Sequence, residues 1–415
     1  MYKIIKNNLD SIITTFSLIM NRGLDAVILL VITPLLIKIF GNTNYGQLTY
    51  YLTLVYIIQT FVIFGFENFI IYKTSGDESN DSKILSCIMT IKLSILFVSS
   101  IFYVVYCYSN FIDKNYYPYI FLLLPFAECF NFSHFFVAKN IASKLIFYSI
   151  IRILFYSILT ICFIKDDKDI NLYSIILVTS YILSIIIQNI YLTTKKKIKL
   201  SIACDKKYLI SSFKESMSFF MLKVIQLLSD KLFLIIAGMW INFSSVAILD
   251  VALKIYLVII MPFQILIISI LPKIITKNIT LNKNYLFMLP LFIASFLSPL
   301  SYFFTDEINL FFFHTKEVDN YYVYPIITLS AMFFIASLII SDLYLIPLNK
   351  LNVTLYSSSV VSIFIFIFIV SCKYLLGLSL TLLLLFFLIF KILDFLLKVY
   401  LLNKTTVKNQ IKNYF

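Results

Sequence analysis

Runs of about 20 mostly apolar residues, enough to cross a bilayer as a helix, recur along almost the whole chain. They lie near 11–40, 47–72, 84–109, 115–137, 145–164 and 171–192, and again near 211–238, 245–271, 284–305, 320–346, 351–372 and 376–402. The runs are solid rather than alternating, which argues for helices and against an outer-membrane barrel. Helices that are apolar all round need lipid as their solvent. Composition agrees: the chain is 61% hydrophobic and 13% charged, whereas soluble domains are roughly 45–50% apolar and 25% charged. The expected fold class is all-α integral membrane, with about twelve transmembrane helices.

Charge sets the expected orientation. With the N-terminus inside, nineteen lysines fall on inner connections, and only Lys38, Lys114, Lys165, Lys168, Lys316 and Lys373 fall outside. The positive-inside rule then puts both termini in the cytoplasm. The start, Met1 to Lys6, carries positive charge ahead of an apolar run. That run is too long for a signal h-region, so a span rather than a cleavable leader is expected. The net charge of +13 points to anionic lipid headgroups, not to nucleic acid.

The polar, basic stretch at 195–210 is the one seam along the chain. It divides the sequence into an expected N-terminal six-helix lobe, 1–194, and a C-terminal six-helix lobe, 211–415. Parallel repeats of this kind recur in transporters, with the substrate site at their interface. A faint internal echo supports the division: Asn42 matches Asn242, and Arg22 falls beside the counterpart of Lys223. The seven glycines are too scattered for a GxxxxGK[ST] phosphate loop. The six cysteines contain no CxxC pair and read as small buried hydrophobes. His134 and His314 stand far apart and read as packing residues, not metal ligands. No catalytic constellation and no cofactor motif is present, so an enzyme is not expected.

The informative residues are the charges inside expected spans, where each costs about 2.5–3.5 kcal/mol on insertion scales. Such groups face a hydrated cavity or a partner. They are Arg22 and Asp25 in span 1, Lys92 in span 3, Glu128 in span 4 and Arg152 in span 5. Span 7 carries Lys223, Asp230 and Lys231, span 8 Asp250 and Lys254, span 10 Asp342, and span 12 Lys391, Asp394 and Lys398. Arg22 with Asp25, and Asp250 with Lys254, share a helical face by spacing and are open to reading as self-neutralising pairs. Arg22 and Arg152 are the only two arginines. Guanidinium stays charged when buried and grips phosphate bidentately.

The run Thr33-Pro-Leu-Leu-Ile-Lys-Ile-Phe-Gly41-Asn-Thr-Asn-Tyr45-Gly46-Gln-Leu resembles the first-helix end of polysaccharide flippases. Phe64-Gly65-Phe66-Glu67 resembles the end of their second helix. Val246-Ala-Ile-Leu-Asp-Val-Ala252-Leu-Lys254-Ile and Ile270-Leu-Pro272-Lys resemble the start and end of their eighth. Phe40 stands where leucine is usual. The chain is thus similar to O-antigen or capsule flippases of the Wzx type, in the multidrug/oligosaccharidyl-lipid/polysaccharide exporter superfamily. The resemblance implies two lobes around a central cavity, alternating access, and an undecaprenyl-diphosphate-linked oligosaccharide as cargo. It also implies the bacterial cytoplasmic membrane and other polysaccharide assembly proteins as partners.

On that reading Arg22, Lys223, Lys231, Lys254 and Arg152 hold the cargo. Asp25, Asp230 and Asp250 bind a coupling ion or balance charge. A multidrug exporter of the same superfamily is the first rival, but it would favour a net acidic cavity. A polymerase is the second, and it would need a longer outer loop than 306–320.

Overall fold

The computed structural model describes the backbone of residues 2–74, 80–110, 115–139, 141, 143–201, 206–277, 283–315, 321–345 and 351–412. Within these stretches, side chains are described except at 2–27, 68, 72, 110, 206–207, 218, 222–223, 226–230, 265, 268–277, 283–287, 351–352, 376 and 405–412.

Helix follows helix, with no strand among the described residues. Helix α1 (Tyr2–Ile63) covers the first two expected spans and bends at Gly41, where φ is 74° and ψ 164°. That region of backbone space is essentially reserved for glycine. After a break at Phe64 and Gly65, α2 (Phe66–Thr74) completes the second span. Helix α3 (Asp81–Asn110) is continuous. The fourth expected span is in three pieces: α4 (Tyr117–Ile120), α5 (Leu123–Glu128) and α6 (Ser133–Ala138). Pro125 contributes to the first gap, because proline lacks the N–H that would bond to Phe121 O and continue the ladder. The fifth and sixth spans are α7 (Ser143–Phe163) and α8 (Ile170–Thr194).

In the second half, α9 (Lys206–Asp230) and α10 (Leu232–Trp240) meet at Lys231. Then come α11 (Phe243–Lys277) and α12 (Lys283–Phe303), with α13 (Thr305–Phe313) bent 61° from α12. Helix α14 (Val323–Ile340) runs into a wider π turn at Ser341–Leu345. Helices α15 (Leu351–Leu376) and α16 (Leu380–Lys412) complete the order.

Among the described residues nine segments are long and apolar enough to cross a membrane, or ten if α12 and α13 form one bent span. The number twelve is therefore not established by length and apolarity. Two physical features account for part of the difference. The described apolar stretch of α1, Ile28–Ile63, counts as one segment although it bends at Gly41. Helix α9 carries Lys214, Glu215, Lys223 and Asp230 and is absent from the nine.

Contacts gather the chain into two units. One comprises Met1–Ile32 and Ile39–Leu227, the other Thr33–Lys38 and Leu228–Phe415. The boundary falls inside α9, later in the chain than the polar linker at 195–210.

Packing of the early part of α9 within the first unit explains that position. The Phe64 ring stacks on Phe213 and Phe220 with centroids 4.4 and 4.3 Å away. Gly65 sits so close beneath α9 that a Cβ there would meet Phe219 Cβ and Phe220 N at 2.7 Å. Lys73 pairs with Glu215 at 2.8 Å. Around these contacts lies an apolar core that includes Phe66, Phe69, Ile88, Phe135 and Leu192.

In the second unit α14 is the inner helix, packed by α11, α12 and α16. Its Ala336 and Ile340 share a core with Leu345, Phe395 and Leu402. Helix α15 presents Ile363, Phe364, Ile367 and Phe368 outward, as a lipid-facing helix does.

Candidate functional site

Among the described residues, polar side chains inside the expected spans gather around Glu128 in the first unit and on α11 and α16 in the second. In the first, the α5–α6 break interrupts the helical ladder inside an expected span, leaving Glu128 O with a turn bond from Asn131 N–H at 3.2 Å. Lys92 of α3 reaches the break: its Nζ donates to Glu128 O at 3.0 Å and Asn131 O at 3.2 Å. The lysine is 3% exposed and lies over the Phe132 ring. Its charge is thus met by backbone dipoles rather than by a carboxylate.

The Glu128 carboxylate, also buried, points elsewhere. Its Oε2 accepts from Gln59 Nε2 and Asn131 Nδ2, each at 3.1 Å, and from the Tyr181 hydroxyl. Gln59 donates as well to Tyr181 Oη at 3.1 Å. Beside this cluster lies a cavity of about 240 Å³, lined by Tyr56, Gln59, Arg152, Tyr156, Ser180 and Tyr181 among others. The Arg152 guanidinium lies 5.7 Å from the centroid of Tyr181. Arg152 thus lines a small cavity of mixed polar and apolar wall within the first unit.

In the second unit Asp250 and Lys254 of α11 form an ion pair at 2.7 Å. Lys254 also donates to Thr33 Oγ1 at 2.7 Å, so it ties α11 to the short part of α1 that packs with this unit. The side chains are 12% and 18% exposed, so the pair is largely buried but not sealed.

A second charge cluster lies on α16. Lys398 pairs with Asp394 at 2.7 Å and donates to Ser337 Oγ at 2.8 Å. Ser337 donates to Asp394 Oδ2 at 2.6 Å and Ser358 to Oδ1 at 2.9 Å. Both charged side chains are buried, and the cluster closes on itself. Nearby, the Lys391 ammonium is enclosed by Phe334, Phe387, Phe390 and Tyr256, with ring centroids 4.6 to 5.5 Å away.

Of the expected site residues, the structure brings Asp250 and Lys254 together and places Arg152 in a different unit. Lys231 stands at the turn between α9 and α10. The side chains of Arg22, Asp25, Lys223 and Asp230 lie outside the described residues; their backbones are helical. Sequence reasoning singled out Lys92, Glu128 and Arg152 by charge, but not Gln59, Asn131 or Tyr181. The signal available for Gln59 and Asn131 was an uncharged amide inside an apolar run, which is weaker than a charge. No group of three or more metal-ligating side chains occurs among the described residues.

An inward-facing multidrug resistance MATE family transporter of the MOP superfamily superposes with a TM-score of 0.62, at 11% identity over 95% of each chain. An outward-facing form of such a transporter gives 0.61, at 10% identity and the same coverage. A MOP superfamily transporter from Pyrococcus furiosus, whose binding pocket is described as reversed in polarity, gives 0.58 at 10% identity, again over 95% of each chain. Among curated proteins, none matches in sequence. The fold is that of multi-pass membrane transporters. The chain belongs to the polysaccharide biosynthesis protein family, whose family model matches residues 12–276. The resemblance carried by the Thr33–Leu48 and Phe64–Glu67 motifs therefore stands, since both fall inside the matched stretch.

Proposed function

We propose that the protein moves a lipid-linked oligosaccharide, joined to its lipid through a diphosphate, from the inner to the outer leaflet by alternating access. The observation that carries this reading is the union of polysaccharide-biosynthesis membership with a transporter fold. Sugars and diphosphate cannot cross hydrocarbon unsolvated at reasonable cost, so the protein supplies a polar path while the lipid tail stays in the apolar layer. Arg22, Lys223, Lys231 and Lys254 are the residues for the diphosphate, and Arg152 a further basic contact. Asp25, Asp230 and Asp250 balance these charges or take a coupling ion. Rocking of two lobes then alternates the access.

The test is genetic. Deleting the gene is expected to remove surface polysaccharide and to leave lipid-linked units inside, and a plasmid copy is expected to restore export. Unchanged polysaccharide together with raised sensitivity to cationic drugs would instead establish the multidrug reading, which the fold neighbours favour.

The proposed localisation is the bacterial cytoplasmic membrane, with both termini and the basic linker on the cytoplasmic side. The nineteen-to-six lysine asymmetry supports it. Cys204 lies in that linker. With the other cysteines replaced, it is expected to react with a membrane-impermeant maleimide in opened vesicles but not in intact spheroplasts. Labelling from outside would reverse the topology.

A further inference from the structure

Helices α7 and α8 pack along one another and are joined by a short connection at 164–169, so the start of α7 and the end of α8 lie together. Tyr191 of α8 ties these ends to two lysines. The Lys144 ammonium lies 3.9 Å from the centroid of its ring, and the Lys195 N–H donates to its carbonyl at 3.0 Å. The chain beyond is a strap held against the first unit. Ile198 is buried, and its N–H donates to Leu192 O at 3.1 Å. Lys199 N–H donates to Ser82 Oγ at 3.3 Å and Ser201 N–H to Ser86 Oγ at 3.0 Å, which pins the strap across the start of α3. Lys197 takes a φ of +53°, a conformation uncommon for a residue with a side chain. Lys195, Lys197 and Lys199 are thereby exposed on a fixed backbone, beside an exposed Lys144.

Among the described residues, none of these four lysines pairs with a carboxylate. Asp81, next to Ser82, is taken by Lys139 at 2.9 Å. One turn in from this end, α7 presents Phe147 outward and α8 presents Ile190, followed a turn later by Ile186. Cations at the end and an outward apolar wall beside them match a molecule with an anionic head and hydrocarbon chains. The opposite end of the same helix pair is unlike it. There Lys165 and Lys168 are interleaved with Asp166, Asp167 and Asp169, which leaves no excess of positive charge.

We propose that the strap and the adjoining ends of α7 and α8 form a binding site for an anionic phospholipid. Its phosphate lies between Lys144 and Lys195, and its chains run along Phe147, Ile186 and Ile190. Basic pockets between membrane helices hold such headgroups through fixed cations near the anionic surface. The strap's hydrogen bonds place the lysine backbones before any lipid arrives, so less freedom is lost on binding. Diphosphatidylglycerol carries two phosphates on one molecule and engages Lys144 and the strap lysines at once. Neither Lys144 nor Lys195 is among the residues proposed for the cargo.

Native mass spectrometry of the purified full-length protein tests this, with diphosphatidylglycerol and phosphatidylcholine as probes. The wild type is expected to retain diphosphatidylglycerol and to release phosphatidylcholine. Lys144→Gln with Lys195→Gln is expected to weaken retention about thirtyfold, equivalent to about 1 kcal/mol for each lysine removed near an anionic surface. Lys165→Gln with Lys168→Gln removes the same charge from the opposite end and is expected to leave retention unchanged. All four side chains are exposed, so both double variants are expected to fold. Equal retention of the two lipids by the wild type overturns the proposal. So does unchanged retention after the change at 144 and 195, or an equal loss in the two double variants. Displacement of diphosphatidylglycerol by an equal concentration of undecaprenyl diphosphate would give the site to the cargo and overturns it too.

Discussion

Lys254→Ala is expected to abolish surface polysaccharide while the protein still accumulates in the membrane. Lys254 is held by Asp250 and Thr33 at 2.7 Å each, and on the proposed reading its ammonium exchanges one partner for a phosphate oxygen of the cargo. Removing it also strands the Asp250 carboxylate. Breaking a fully buried pair costs about 3–5 kcal/mol; at 12% and 18% exposure the cost here is a fraction of that, so the single variant is expected to accumulate at normal level. The double change Lys254→Ala with Asp250→Ala separates the two roles. It removes both charges and so removes the stranded carboxylate. If Lys254 binds the diphosphate, the double variant stays inactive, and Lys254→Arg retains part of the export because the charge survives. If Lys254 only neutralises Asp250, the double variant recovers. Recovery at matched protein level would reject the cargo role.

Gly65→Ala carries the largest expected loss of stability. Its φ of +71° already disfavours any L side chain, at about 1–3 kcal/mol. The new methyl would also lie 2.7 Å from the backbone nitrogen of Phe220 and from Phe219 Cβ. Neither atom is the end of a flexible side chain, so α9 itself must shift. The shift would open the stack of Phe64 between Phe213 and Phe220, in which each ring pair contributes about 0.5–1.5 kcal/mol.

Gly41→Ala is the control. Its φ of +74° is likewise positive, but nothing stands within 4 Å of a Cβ there. Thermal unfolding in detergent, read by a thiol-reactive dye reaching the buried Cys87, Cys107 and Cys129, is expected to fall much further for Gly65→Ala than for Gly41→Ala. Equal shifts would mean that the close approach to α9 contributes nothing.

The membrane class was legible in the sequence because an apolar run needs no tertiary information to be recognised. The helix order follows the expected spans closely, from α3 against 84–109 to α15 against 351–372. The breaks were less legible. Proline marks α4 and α5, but the gap at Cys129–Phe132 is stabilised by Lys92, a residue on another helix. A one-dimensional reading sees Lys92 as a charge in need of a counter-charge, and the counterpart is a pair of carbonyls.

Pairs at i, i+4, such as Asp250 with Lys254, were readable from spacing alone. The Glu128 cluster was not, because Gln59, Asn131 and Tyr181 come from α1, the α5–α6 break and α8, and only folding brings them together. The linker at 195–210 was readable as a polar seam. The place where packing changes hands, inside α9, depends on the Phe64 and Gly65 contacts.

Lys398 has one further consequence, for sodium and potassium. Its ammonium is anchored four residues from Asp394 on the same helix, so it is a tethered competitor that cannot diffuse away. Tethering holds a partner at an effective concentration in the millimolar range or above. A free monovalent cation must displace it and also compete with the Ser337 and Ser358 hydroxyls. Asp394 is in this sense a carboxylate already titrated by the chain's own cation. Any dependence of the protein on an external ion then falls on carboxylates other than Asp394 and other than Asp250, which Lys254 pairs in the same way.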